Sequence, residues 1–572
     1  MPDATSKQTI IAAFEEIAQL MELQGENPFK SRSYVNAART IEQLGEDLEV
    51  IQREGRLREI KGVGEAIAEK IETLLATGRL PFLEELRAQF PPTIFELFSI
   101  SGLGAKRIKQ FYDELGIKSM ADLQAACEAN KLAGLKGVGE KMQAKLLEGI
   151  SFAQQHTGSF HYHVAEEAAQ ALLAYVRSCK AVQRAELAGS LRRRKEVIKD
   201  IDIVASSKHP ETVMLHFVAY PGRKRVTGHG DTKSSIVTES GISADLRVVA
   251  DDLFPYTLMH FTGSKEHNVV MRQRAKDRAL KLNEYGLHRE DESVLPCHDE
   301  AAIYAALDLP HVPPELREDS GEFELTTTPT LITDADVRGV IHCHTTYSDG
   351  RNTLEEMVEA GRAAGYEYIL ITDHSQTASY AGGLKPDDIV RQHEQIDALN
   401  KTVKGIKILK GIESDILGDG ALDYEDDVLK SFDLIVASVH NRLDMAEAEA
   451  TARVVRAIEN PYCDIIGHPT GRLLLQRKGF PLDFDRIFDA CLANNTALEI
   501  NANCLRLDLD WRLVLKGKRK GVKFCVGPDA HRTGAIANIR YGVGIARKGG
   551  LEPSDVICTY SLKDLMAWRK SR

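Results

Sequence analysis

Apolar residues recur at helical spacing from the start of the chain: Ile10, Ile11, Phe14, Ile17, Ala18 and Met21 share one face, which predicts an amphipathic helix over residues 8–24. Asn27-Pro28 breaks it, and the helical pattern resumes from Tyr34 to Leu44. Near Phe160 the pattern changes to short apolar strands that carry isolated carboxylates. Pro310–Pro314 and the threonine-rich stretch Thr326–Thr330 then read as a linker. Beyond it, strands alternate with helices: 340–344, 368–372, 406–412, 434–439, 465–466, 497–500 and 523–526. Such alternation over about 230 residues predicts a (β/α) barrel, here with seven strands.

Three glycine-bracketed turns punctuate the helical half. Gly62-Val63-Gly64, Gly102-Leu103-Gly104 and Gly137-Val138-Gly139 each precede a helical run and are each followed by lysine or arginine. A glycine turn that opens a helix exposes backbone N–H groups, a ready anion site. One such turn is explained by chain reversal alone. Three copies with basic residues beside them predict helix-hairpin-helix grips on the phosphate backbone of DNA.

Candidate chemistry appears twice. Gly189-Ser190 and the basic run Arg192–Lys195 precede Asp200-Ile201-Asp202, and Asp245 sits alone in the strand-like run 244–249. Asp-x-Asp on a strand points both carboxylates to one face. Alone, that spacing fits a solvated edge; with a third carboxylate and a phosphate-binding turn it predicts a two-metal phosphoryl-transfer site. In the second half, a metal-ligand type stands at the C-terminal end of most strands: His342 and His344, His374, Glu413, His440, His468, and Asp529 with His531. Barrel chemistry gathers at that end.

The order Gly-Ser-x-Arg-Arg, Asp-Ile-Asp, a lone strand Asp, then Phe261-Thr262-Gly263-Ser264-Lys265 resembles the family X DNA polymerases, the group that includes DNA polymerase beta. The stretch 340–350, with Asp529-Ala530-His531, resembles a polymerase and histidinol phosphatase (PHP) domain. The resemblance implies a multidomain fold: an α-helical helix-hairpin-helix N-terminal region, an α+β nucleotidyltransferase palm with thumb, and a C-terminal distorted (β/α)7 TIM-like barrel. Its expected divisions are a lyase-like domain over 1–90, a hairpin subdomain over 91–155, palm 156–260, nucleotide-binding thumb 261–315, linker 316–336 and PHP domain 337–572.

The resemblance also implies residue roles. Asp200, Asp202 and Asp245 would hold Mg2+ or Mn2+, and Ser190 and Arg193 would bind the triphosphate. His260, Phe261, Gly263, Lys265 and Asn268 would bind the nucleotide, Arg272 would contact DNA, and Arg247 would pair with an aspartate of the idle site. Lys70 matches a lyase lysine, although Ala66 stands where the vertebrate enzyme has a second lysine. In the PHP domain three divalent metals, Mn2+ or Zn2+, would be held by His342, His344, Glu413 and Asp529, by Glu413, His440 and His468, and by Asp349, His374 and His531.

Composition narrows the partners. A net charge of -11 over 572 residues argues against generalised nucleic-acid binding. Affinity for DNA must come from local patches, at Arg192–Lys195, Arg223–Arg225 and Lys265–Lys281. Nine cysteines without a Cys-x-x-Cys pair argue against a zinc ribbon or disulfide framework. No apolar run approaches 18 residues and no basic-then-apolar leader opens the chain, so a cytoplasmic protein is expected. The expected function is filling of short gaps in DNA repair from deoxynucleoside triphosphates on gapped or nicked DNA. The PHP domain would add a 3'-5' exonuclease and an AP endonuclease, on a monomer with no membrane partner. The competing expectations are a DNA-end-binding module fused to a small-molecule phosphatase, and an active polymerase whose barrel metals serve only the fold.

Overall fold

A computed structural model describes residues 7–43, 48–100 and 103–570, which fall into two compact units, 1–157 and 158–572. Gly102 and Leu44 lie outside the described residues.

The first unit is helical. Helix α1 (Lys7–Gln24) buries Ile10, Phe14, Ile17, Ala18 and Met21 against α2 (Pro28–Gln43), the face its periodicity predicts. The glycine turns share one geometry. In the first, Gly62 has φ +85°, Val63 N–H donates to Ile60 O at 3.0 Å, and Gly64 caps α3 (Glu65–Thr77) without a side-chain hydrogen bond. Leu103 and Gly104 repeat this before α4 (Ala105–Leu115), and Gly137 (φ +79°), Val138 and Gly139 before α5 (Glu140–Gln155). Val63, Leu103 and Val138 are buried, so the middle residue anchors each turn while the capping glycine faces solvent. Four N–H groups at a helix start have no intrahelical acceptor, and a glycine cap offers none.

The second unit opens with a five-stranded sheet: β1 (Arg184–Leu187), β2 (Asp200–Ser206), β3 (Arg223–His229), β4 (Lys233–Thr238) and β5 (Ser243–Val249), in the order β1-β2-β5-β4-β3. Only β2 and β5 run parallel, and their register sets Asp202 directly opposite Asp245. Helices α6 (Phe254–Thr262) and α7 (Lys265–Lys276) follow, joined by Gly263 and Ser264, whose side chain caps α7. The 316–336 stretch, expected as a linker, contains 3-10 turns and buries Arg317, Glu322, Leu331 and Ile332.

Seven parallel strands complete the unit in chain order: β6 (Gly339–Cys343), β7 (Tyr368–Ile371), β8 (Lys407–Asp415), β9 (Leu434–Ser438), β10 (Ile465–Ile466), β11 (Ala497–Asn501) and β12 (Phe524–Gly527). A parallel bridge from Cys343 to Ala530 nearly closes them into a barrel. All seven strands are buried along nearly their whole length, as a parallel sheet covered by helices requires. The barrel is packed onto the first sheet's phosphate-type turn. From α8 (Ile539–Lys548), Lys548 reaches Arg193 O at 3.0 Å and Glu318 at 2.6 Å, and Glu318 in turn bonds the Arg193 guanidinium at 2.9 Å.

Candidate metal centres and their family

The barrel mouth gathers all nine predicted ligands. Glu413, at the end of β8, stands at the centre: His468 Nε2 lies 3.0 Å from one oxygen, His440 Nε2 3.2 Å and His342 Nε2 3.4 Å, while His374 Nδ1 lies 2.9 Å from the other. Asp529 lies 3.3 Å from His344 and 3.6 Å from His342, and Asp349 lies 3.2 Å from His531 and 3.5 Å from His374. Converging ligand atoms form four overlapping sets: His344, Asp349, His374 and His531; His342, Glu413 and His468; His342, His344 and Asp529; and His374, Glu413 and His440.

Buried polar groups normally find partners. Here His342 Nε2, both ring nitrogens of His344, His374 Nδ1, His468 Nδ1 and Glu413 Oε2 are buried without a hydrogen bond. Such a concentration of orphaned imidazole and carboxylate atoms fits divalent cations, which take N and O donors together. The electrostatics agree. Burial works against charge on Glu413 and Asp529, yet the surrounding imidazoles hold both well below the usual carboxylate range. Burial likewise opposes charge on His440 and His531, but Glu413 and Asp415 lift the first to about 10, and Asp349 and Asp529 lift the second to about 9. His344, buried beside His531 and His374, is pushed down to about 3. Carboxylates and imidazoles packed this closely favour positive charge among them, which suits divalent cations.

Backbone strain marks the same place. His342 (φ +76°), His468 (φ +24°) and Asp529 (φ +51°) adopt left-handed conformations without being glycine, a cost of order 1–3 kcal/mol each that surrounding structure must hold in place.

The smaller sheet holds the second carboxylate group. Asp202 is half-buried and its pKa is pushed up to about 6, first by burial and then by the charges of Asp200 and Asp245. Asp245 is turned onto Lys233 Nζ at 2.6 Å and accepts from Ser235 Oγ at 2.6 Å. The three carboxylates therefore do not converge on one ligand shell here, unlike the barrel sets. A raised Asp202 and a lysine drawn onto Asp245 are what excess negative charge produces, and that excess fits a cation site. Gly189 (φ +61°) passes so close that a methyl group there would lie 3.0 Å from Asp202 Cγ and nearer still to Oδ2.

Comparison with known proteins shows the family. Residues 5–80 match the helix-hairpin-helix domain family and 94–151 the SAM-like helix-hairpin-helix tandem. Residues 257–318 match the DNA polymerase beta thumb, and 341–503 the PHP domain. The chain is 38% identical over 568 residues, 99% of either chain, to a Bacillus subtilis protein named DNA polymerase/3'-5' exonuclease PolX. The chain belongs to the family X DNA polymerases with a C-terminal PHP domain. Part of the chain is also similar to other proteins: 28% identity over 246 residues, 38% of this chain and 90% of the relative, to a probable phosphatase of Thermoanaerobacter, and 29% over 214 residues, 34% and 77%, to one of Caldanaerobacter subterraneus.

Within this family X palm, Ser190 is half-buried at the phosphate-type turn. Arg193 is buried, giving Nη1 to Thr262 O at 2.7 Å and Nε to Glu318, so an incoming triphosphate would have to compete for it. Arg247 lies 4.1 Å over the Phe261 ring and makes no hydrogen bond or ion pair to a described aspartate, although its charge reaches Asp202. In the thumb, Asn268 gives its amide to His260 O at 2.7 Å, which stiffens the Gly263 turn between them, and a methyl on Gly263 would meet Asn268 Oδ1 at 2.7 Å. Lys265 and Arg272 are exposed. In the helical unit Lys70 lies 4.8 Å over the Phe82 ring and donates to Ala66 O.

Two carboxylates that motif reasoning missed stand behind candidate ligands of the barrel. Glu499 on β11 lies 2.5 Å from His342 Nδ1 and accepts His468 N–H. Asp415, two residues beyond Glu413, lies 2.6 Å from His440 Nδ1. Carboxylates behind ligating histidines fix ring orientation and raise basicity. The available signal was a lone acid inside an otherwise apolar strand, Ala497-Leu498-Glu499-Ile500.

Proposed function

We propose that this protein is a DNA-directed DNA polymerase that fills short gaps in base excision or end repair, and that its PHP barrel removes 3'-terminal nucleotides in the 3'-5' direction. The observation that carries the reading is the presence of two separate acidic centres in one chain, Asp202 facing Asp245 across parallel strands and nine ligands at the barrel mouth. Mg2+ or Mn2+ on Asp200, Asp202 and Asp245, and three divalent ions, Mn2+ or Zn2+, on the barrel set, would offset phosphoryl charge and acidify water.

The chain's own groups do the positioning. Asp245 takes the proton of the primer 3'-hydroxyl, and the Ser190 hydroxyl and Arg193 donate to the triphosphate. His260, Phe261, Gly263, Lys265 and Asn268 shape the nucleotide pocket, and Arg272 touches the DNA. The N–H groups at Gly62, Gly64, Gly104, Gly137 and Gly139, with Gly102, hold phosphates independently of sequence. Lys70, as a Schiff-base nucleophile, would add a lyase step, and the barrel an AP endonuclease. Gapped or nicked DNA and deoxynucleoside triphosphates are the partners of a monomer working in the cytoplasm. No helix among the described residues is long and apolar enough to cross a membrane.

A second reading, a DNA-end-binding module fused to a small-molecule phosphatase, draws on the chain's partial similarity to probable phosphatases. A one-nucleotide-gapped duplex with labelled primer and Mn2+ separates them. Extension with nucleotides and shortening without them support the proposal. No shortening, together with release of phosphate from small esters, would favour the second reading.

A further inference from the structure

One large aromatic stands out at the barrel mouth. Tyr380 is 72% exposed, yet its ring centre lies 6.2 Å from that of His374 and 6.5 Å from that of His440, two of the ligands. Burying such a ring is favourable, so an exposed one beside an active site calls for a reason.

Its loop is not loose. Ala378 and Ala381 on either side are buried, Thr377 N–H donates to Asp423 at 2.7 Å, and Gln376 Nε2 donates to Asp423 O at 2.7 Å. Leu384 N–H returns to His374 O at 2.8 Å, and Gly383 packs so tightly on the Ser375 carbonyl that no side chain fits there. The ring is therefore held outward by a rigid turn anchored at the ligand His374. Also at the mouth, the half-exposed Arg506 lies with Nε 3.7 Å from Asp529 Oδ2. Arg477 Nε is buried with no hydrogen-bond partner. Arg506 is thus a partly exposed guanidinium at the edge of the ligand set, able to give a charge-assisted hydrogen bond to a phosphodiester oxygen bound there.

We infer that Tyr380 is a stacking platform for the base of the 3'-terminal nucleotide and that Arg506 takes an oxygen of the adjoining phosphodiester. The barrel's substrate class is then a single-stranded, frayed 3' end with a base on its last sugar, rather than a bare phosphate ester. This rests on the exonuclease reading. Stacking on an aromatic tolerates any base, since every base has a π-face, which suits removal of terminal nucleotides of all four kinds.

The test compares Tyr380→Ala, Tyr380→Phe and the unaltered full-length protein with Mn2+ on two primers: one ending in a normal nucleotide with a mispaired base, the other in an abasic tetrahydrofuran residue. Y380A is expected to lower kcat/KM on the normal end by about tenfold or more, the order of one lost base–aromatic stack. It should leave cleavage of the abasic end unchanged, and Y380F should behave as the unaltered protein on both. No loss in Y380A, or equal loss on both ends, overturns the platform. If the unaltered protein shortens neither primer, the exonuclease reading itself falls and takes the platform with it.

Discussion

Replacing Gly189 by alanine is the sharpest single test of the palm geometry. The position has φ +61°, a conformation that costs a residue with a Cβ roughly 1–2 kcal/mol. The added methyl would lie 3.0 Å from Asp202 Cγ and 3.2 Å from Cβ, and closer to Oδ2. Ordinary carbon contacts lie at about 3.5–4.0 Å, so the carboxylate or the turn must move by about 1 Å. Because β2 carries Asp202 opposite Asp245, that movement separates the two groups that must act together. Misplacement by about 1 Å costs of order 100-fold in rate. Primer extension on a gapped duplex should therefore fall about 100-fold in G189A, while 3' shortening by the barrel stays within about twofold and the melting temperature drops by only a few degrees. Unchanged extension, or equal loss of both activities, would refute the reasoning.

Two further outcomes follow from charge. Glu499→Gln removes the carboxylate behind His342, and metal affinity of the barrel should fall about 10- to 100-fold, as for other such partners, read by metal titration and by the Mn2+ needed for shortening, with extension untouched. Asp202→Asn removes a carboxyl whose folded-state pKa is raised to about 6. Such a group binds its proton more tightly in the folded than in the unfolded chain, so its ionisation destabilises the fold fully above about pH 6, and the penalty fades as pH falls from about 6 to the unfolded carboxylate value, below which it is gone. In chelator, thermal melts should show D202N more stable than the unaltered protein at pH 7, and the gain should disappear near pH 3.5.

The features legible in the sequence are those set by local spacing. The period of Ile10, Phe14 and Ile17 gives a helix, Gly-x-Gly gives a capped turn, and a ligand type at successive strand ends gives a converging mouth because a parallel barrel brings those ends together. What was not legible depends on pairing across long separations. Glu499 matters because β11 brings it behind His342, 157 residues away in the chain. Arg193 matches a phosphate ligand by motif, yet only the fold reveals Glu318 and Lys548 already engaging that turn. Pro310–Pro314 and the threonines of 326–330 read as a linker, but Arg317 between them is fully buried against Glu300, and nothing in its neighbours' composition signals that pairing. Tyr380 is one tyrosine among 16 until the loop that presents it is seen.

The central claim is that one chain carries two independent phosphoryl-chemistry centres. Asp202→Asn and His344→Ala, assayed side by side on the same gapped duplex with and without nucleotides, test it most directly. The account predicts that D202N loses extension and keeps shortening, and that H344A loses shortening and keeps extension. Loss of both activities from either single substitution, in protein that still melts cooperatively, would contradict it.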